Sequence, residues 1–458
     1  MSFELPFKLP TGWQVATVDE LVKQKIIAKP LDGNHGGIHP KASDYIESGV
    51  PFVMASDLAG GRVDLIDCKF ISEEQASGLR KGIAKAGDVL LSHKATIGRT
   101  AIVQDSKHDF IMLTPQVTYY RVINSSALSN IYLKAYFDSR FFQSILGLWA
   151  GAGSTRAYLG ITGQLKLPII LPPIEIQNEI SGQVHALNKK VNLNNEINQT
   201  LEEMAQAIFK SWFVDFDPVK AKMNGKQPEG MDAATASLFP EKLVESELGL
   251  IPDGWEVTKL SKVIDLLNGF AFKSSDYVKE GTFVLRTKNF DSSNSVERLG
   301  DDVYLPDEFL ESHKKYLCEA YDYHVVMVAA SIGKTAMIYP HQLPALRNQN
   351  MWCFRPKDES LRFYTKYMVD GLVKLNMGLA SGSARAFFKK GDFNSYEFAL
   401  PSSELLTKFN DVVGNLVRQK GSLLNQNVQL AAMRDTLLPK LLSGEIELGA
   451  TEALELEA

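Results

Sequence analysis

Ala95-Thr-Ile-Gly98-Arg-Thr-Ala-Ile102 and Ala330-Ser-Ile-Gly333-Lys-Thr-Ala-Met337 are one phrase written twice, 235 residues apart. Working outward, Pro10-Thr-Gly-Trp13-Gln-Val15 returns as Pro252-Asp-Gly-Trp255-Glu-Val257, and Gly153-Ser-Thr-Arg156-Ala-Tyr158 returns as Gly382-Ser-Ala-Arg385-Ala-Phe387. Leu171-Pro172 returns as Leu400-Pro401, and beyond it Val184, Leu187, Leu201 and Met204 match Val413, Leu416, Leu430 and Met433 at a constant offset of 229. The offset drifts from 242 to 229 while the order is kept, so loops differ in length and the plan does not. The chain is a duplication.

Each copy has two parts. The first is a run of short apolar and aromatic segments punctuated by Gly, Pro and Asp, such as Asp88-Val-Leu-Leu, Gln116-Val-Thr-Tyr-Tyr-Arg-Val, Tyr323-His-Val-Val-Met-Val and Asn350-Met-Trp-Cys-Phe. These read as strands joined by turns in a mixed α/β globule. The second part is helical. Ile176, Ile180, Val184, Leu187, Val191, Leu201 and Ile208 step by threes and fours, as do Phe409, Val413, Leu416, Leu423, Leu430 and Leu437. Pro173 and Pro401 stand at the starts with Glu175 and Glu404 in the first turns, and Pro218 and Pro439 are expected to close the helices. Each helix then has about 36 residues and a length of roughly 54 Å. The apolar seam is interrupted by Asn194, Asn198, Lys420 and Asn427; Asn198 and Asn427 are equivalent in the repeat and read as register devices, or as surface residues of an imperfect period. The expected class is α+β, with segments 1–172, 173–214, 215–250, 251–400, 401–444 and an acidic tail at 445–458.

Composition sets the bounds. A chain of 458 residues with 45% apolar and 22% charged residues can bury real cores, in about three units. No apolar run approaches the ~18–20 residues that span a bilayer, and the opening Met1-Ser-Phe-Glu-Leu-Pro lacks the pattern of a secretory signal. Cys68, Cys318 and Cys353 are too few and scattered for a disulfide framework or zinc site, so a cytoplasmic protein without a membrane partner is expected. Net charge is −5, but it is unevenly spread. Residues 1–172 carry 18 bases and 15 acids, residues 251–400 carry 19 of each, and the excess acid lies in connecting and terminal segments. Such globules remain compatible with nucleic acid.

Phe209-Lys-Ser-Trp-Phe-Val-Asp-Phe-Asp-Pro218-Val-Lys-Ala-Lys-Met-Asn-Gly225 after the first helix resembles the central region of specificity subunits of type I restriction–modification systems. Pro252-Asp-Gly-Trp255 opening the second half and Arg434-Asp-Thr-Leu-Leu-Pro-Lys-Leu-Leu-Ser-Gly444 closing it resemble the same family, which covers essentially the whole chain. The resemblance implies two target-recognition domains on two antiparallel helices, related by pseudo-twofold symmetry as the subunits of a dimer are. It implies a non-catalytic reader of double-stranded DNA that docks two methyltransferase subunits and two motor-nuclease subunits. S-adenosylmethionine, ATP and Mg2+ belong to those partners, and this chain has no cofactor of its own. Half-sites about 34 Å apart suit a twofold reader, and unlike domains imply an asymmetric target with an unread spacer.

Candidate contacts follow from residue type. Arg99 and Lys334 stand at equivalent Gly turns and suit phosphate, or are merely solvated. Ser331-Ile-Gly-Lys-Thr335 has Val328 where a phosphate-binding loop needs its first Gly, so it reads as a strand-to-strand turn. Ser154, Arg156, Ser383 and Arg385 repeat a base after a flexible step, for a phosphate or guanine edge, or as a buried tie to the helix. Direct base reading is assigned to Arg286, Lys288 and Arg347-Asn348-Gln349-Asn350, and in the first domain to Lys94, Gln116 and Arg121. Tyr119, Tyr120 and Trp352 read as core. Trp212, Phe213 and Phe216, too apolar for a solvent face, read as a docking surface for a partner subunit. No methyltransferase signature, Cys pair or His-Glu-x-x-His motif is present, and Gly36-Gly37 between His35 and His39 argues against a helical metal pair. The alternative to a DNA reader is an adaptor whose twin globules bind protein or sugar.

Overall fold

The computed structural model describes residues 8–151, 157–328, 330–380 and 387–446. The chain divides into two units: residues up to Leu193 join those from Asn427 onward, and Asn194–Gln426 form the other.

The repeat written in the sequence is repeated in the strand pairing. In the first unit Gln14–Thr17 runs antiparallel to Pro168–Leu171, and in the second Glu256–Lys259 runs antiparallel to Glu397–Leu400. Each globule is thus zipped shut by the segments that follow its Pro-x-Gly-Trp and precede its Leu-Pro. Inside, Val50–Val53 lies parallel to Ile111–Leu113, as Thr282–Leu285 lies parallel to Ala345–Arg347. Val89–Ser92 is flanked by Thr100–Ile102 and Val117–Tyr120, and Tyr323–Val326 by Thr335–Met337 and Met351–Pro356. Val89–Ser92, Val117–Tyr120 and Tyr323–Val326 are buried along their whole length, which is why they read as continuous apolar runs without alternation. Tyr119, Tyr120 and Trp352 lie in these cores as expected.

A buried ion pair recurs with the fold. Asp88, at the start of its strand, takes both ends of the Arg121 guanidinium at 2.8 and 2.7 Å. At the same place in the second copy Asp322 takes Arg355 at 2.9 and 2.5 Å.

The central helix spans Ile174–Phe213 and the C-terminal helix Ser403–Ser443, 40 and 41 residues, longer than the periodicity alone suggested. Each is about 60 Å long. Pro439 does not close the second helix as expected; it lies inside it. Leu438, Leu441 and Leu442 are buried in the first unit's core and hold the last turn helical past the proline, until Gly444 at φ +69° ends it. Pro218 instead opens a further short helix, Asp217–Met223. The stretch 215–250 contains that helix, a second at Ala233–Ser237 and the start of a hairpin pairing Leu243–Ser246 with Gly249–Pro252.

Within each unit the two helices run antiparallel. In the first, Ile180 and Val184 pack with Leu438, Leu441 and Leu442, and Arg434 donates to Asn188 at 3.3 Å. In the second, Asn194 donates to Gln426 at 2.8 Å, Glu202 meets Lys420 at 3.1 Å, and Phe213 packs edge-on to Phe409. Of the expected register residues, Asn198 is buried with neither amide atom hydrogen-bonded among the described residues, and Asn427 is half-buried.

Candidate nucleic-acid interface

In each globule the chain leaves a buried strand, makes a tight turn and returns as the neighbouring strand. Gly98 at φ +90° donates its N–H to the Ser92 carbonyl, and Gly333 at φ +81° donates to that of Val326, both at 2.9 Å. A side chain at Gly98 would fall 2.1 Å from Gln143 Oε1, and one at Gly333 2.9 Å from Met377 Sδ, so both turns press onto a helix. That is the physical reason for glycine at both places. Lys94, Arg99 and Lys334 stand exposed on these turns, and none has an ion-pair partner among the described residues. Arg99 is only steadied, through Nη1, by the carbonyls of Ala55 and Ser56 at 3.2 Å. Their charge is available to an anion.

Beneath each turn a second loop converges. His93 donates its N–H to the Gln116 carbonyl at 2.9 Å, and Met327 donates to that of Asn350 at 3.1 Å, which puts Gln116 and Asn350 at the same place in the two copies. Gln349 and Asn350 are exposed, Asn350 at φ +72°, while Asn348 is half-buried and accepts the Gln349 N–H.

Other sequence candidates are occupied. Arg347 is 1% exposed, and its guanidinium donates to the carbonyls of Asn268, Leu317 and Lys315. It is a structural clamp, and its assignment to base reading is corrected. Arg121 is likewise corrected: its two bonds to Asp88, repeated by Arg355 on Asp322, make it a tie across the sheet. Arg286 donates to the Asp301 carbonyl at 2.7 Å, and Lys288 pairs with the Asp301 carboxylate at 2.5 Å, so contact with DNA requires them to exchange partners. Ser154, Arg156, Ser383 and Arg385 lie outside the described residues.

The expected docking surface is also corrected. Trp212 is 6% and Phe213 8% exposed, and Phe216 is half-buried against Trp255 at 5.5 Å. They form an aromatic core with Phe239, Tyr364 and Phe409, because the chain after the helix folds back and covers them.

Two further groups are present, neither marked by a motif of its own. One is a buried ionic knot: Glu202 of the central helix meets Lys366 at 2.5 Å and Lys420 of the C-terminal helix at 3.1 Å, and Lys366 also meets Asp370 at 3.2 Å. Burial pushes Glu202 up, but the two ammonium groups outweigh it and hold its carboxyl at about 2. Lys420 as an interruption of the seam was its only signal. The other is a solvent-facing ring beside each Gly turn, Tyr158 and Phe387, each the last residue of a repeated motif.

Asp322, His324 and Cys353 bring ligand-type atoms within 4.8 Å of one another. The Asp322 oxygens are taken by Arg355 and by the Glu319 N–H at 2.7 Å. Burial holds His324 down at about 4 and raises the Cys353 thiol, leaving both neutral. With Arg355 and Arg362 already at the carboxylate, the cluster is a salt-bridge core, unsuited to an added cation. No helix among the described residues is long and apolar enough to cross a membrane.

A family model described as the type I restriction modification DNA specificity domain matches residues 10–203 and 252–408. The specificity subunit of the type I restriction enzyme HindI from Haemophilus influenzae is 28% identical over 453 residues, covering 87% of this chain and 94% of that protein. The MjaIX specificity subunit from Methanocaldococcus jannaschii is 22% identical over 456 residues, covering 97% and 99%. The crystal structure of the type I restriction–modification S subunit from M. genitalium aligns over 96% of this chain and 98% of that one, at 12% identity and a TM-score of 0.47.

Proposed function

The chain belongs to the type I restriction–modification DNA specificity family, and from that premise we propose that it reads an asymmetric, two-part duplex target. Its role is DNA sequence recognition, with catalysis on partner subunits. The observation that carries the two-part reading is that equivalent backbone devices present different side chains: Lys94 against Val328, Arg99 against Lys334, Gln116 against Asn350. A cation on the turn grips phosphate in either copy, while the exchange of Lys94 for Val328 and the different reach of Gln116 and Asn350 present unlike surfaces to the two half-sites. In this reading the chain works in the cytoplasm with two methyltransferase subunits, which use S-adenosylmethionine to mark an adenine in each half. Two motor-nuclease subunits consume ATP with Mg2+. Since Trp212 and Phe213 are interior, docking of the methyltransferases is assigned to the outward helix faces carrying Met204 and Met433, equivalent in the repeat and both exposed. Methionine suits such a contact because it repacks readily.

The test is methylome sequencing of cells with and without this chain. The expected result is one adenine-methylated motif, of two unequal halves around an unread spacer, that disappears with the chain. A palindromic motif, or a methylation pattern indifferent to the chain, overturns the reading.

A further inference from the structure

Tyr158 and Phe387 are the only aromatic side chains among the described residues that stand out into solvent, at 48% and 54% exposure. The chain has 24 Phe, 15 Tyr and 5 Trp, and the two exposed rings fall at one and the same position of the repeat. The backbone holds them identically. Tyr158 bridges Lys94 and Phe387 bridges Val328, each antiparallel to the second residue beyond a buried strand. The next residue in each case, Leu159 or Phe388, donates its N–H to the carbonyl of His93 or Met327, at 3.1 and 3.0 Å, and turns its side chain into the core. Alternation along an extended segment therefore forces residues 158 and 387 outward. A ring left in water at one such place is ordinary; one at both, where no other described Phe, Tyr or Trp is exposed, calls for a partner.

We propose that Tyr158 and Phe387 are apolar contacts to the duplex, each packing its ring against a base or deoxyribose of its own half-site. This rests on the DNA-reading function proposed above. The surroundings choose DNA over a protein surface. Lys94 lies directly across the bridge from Tyr158, Lys389 is exposed two residues beyond Phe387, and neither has an ion-pair partner among the described residues. A ring flanked by unneutralised cations matches a strand whose phosphates are anionic and whose bases and sugars are flat and apolar.

The two kinds of contact leave different signatures. Packing a ring releases no counterions, so its loss weakens binding without altering the salt dependence, whereas loss of a phosphate-gripping lysine lowers the salt slope. The experiment uses the full chain co-expressed with its methyltransferase, and a duplex carrying the motif that the wild-type complex methylates. Binding is titrated across a salt series for wild type, Tyr158→Ala, Phe387→Ala, Tyr158→Phe and Lys94→Ala. Each ring-to-alanine variant is expected to bind about tenfold or more weakly with an unchanged salt slope. Tyr158→Phe is expected to stay within about twofold of wild type, and Lys94→Ala to lower the slope. Because both rings are about half exposed, and among the described residues Tyr158 touches the core only at the His93 ring 5.6 Å away, thermal melting should shift little, and quenching of a Tyr158→Trp fluorophore by the duplex gives an independent readout. Alanine variants that bind like wild type, or an indole that DNA does not quench, overturn the proposal while leaving the DNA-reading function intact. Loss of methyltransferase co-purification in the alanine variants assigns the rings to a protein partner and equally overturns it. A wild-type complex that shows no salt-dependent binding removes the DNA reading itself.

Discussion

Asp322 is fully buried, and its carboxylate is the counter-charge for Arg355 and Arg362. Asp322→Asn keeps the volume and removes the buried charge, leaving Arg355 and Arg362 only the exposed acids Glu319 and Glu359. Breaking a buried pair from one side costs about 3–5 kcal/mol, so urea unfolding of this variant should shift by that order. Asp88→Asn is expected to cost less, because its partner Arg121 is about a third exposed and water screens it. Residue type alone misassigned Arg121 and Arg347. A guanidinium serves guanine, phosphate, carboxylate or a ring of carbonyls with the same donors, and only the fold says which acceptors surround it. The Asp88–Arg121 and Asp322–Arg355 repeat was legible in principle, since both partners recur at one offset. For Gln116 and Asn350 what was legible was their placement: polar residues next to buried strands have nowhere to go but the turn.

At the scale of the element, the helices were readable from their apolar spacing, and their ends were not. Pro439 is a helix breaker by local chemistry, yet burial of Leu438, Leu441 and Leu442 outweighs it. The knot of Glu202, Lys366 and Lys420 joins three helices of one unit and has no ionic counterpart at the equivalent helix positions, which hold Ala431 and Val191. Against the upward push of burial, the Lys366 and Lys420 ammonium groups hold the Glu202 carboxyl down at about 2, well below the ordinary glutamate range. Its contribution is therefore complete above the unfolded value and is lost as pH falls through the folded one. Stability on the order of 3 kcal/mol should disappear between about pH 5 and pH 2 in the wild type. Glu202→Gln should be less stable at neutral pH and show a flatter acid limb, which denaturant titrations across that window would measure. On the outer faces, Met204→Glu and Met433→Glu should each weaken methyltransferase co-purification while leaving the melting temperature unchanged, since both side chains are exposed.

For the whole molecule, the duplication was the most legible feature, because it needs only self-comparison and the strand register follows the same offsets. What stayed hidden was the partition of the chain: each unit takes half of each long helix, so its boundaries fall inside helices, where no turn signal marks them. If the helices set the spacing of the half-sites, removing one heptad from each shortens them by ~10 Å, and the methylated motif should change its spacer while keeping both halves. A motif with the original spacer would show that they do not.

The partition also dictates an order of birth. Asn194–Gln426 is one continuous stretch and can close as soon as it leaves the ribosome. The other unit, although its strands are synthesised first, must wait for Leu438, Leu441 and Leu442 to arrive beside Ile180 and Val184. Until those three leucines have been made, the core around Ile180 and Val184 is incomplete, so the unit whose strands come first in the chain is the one completed last.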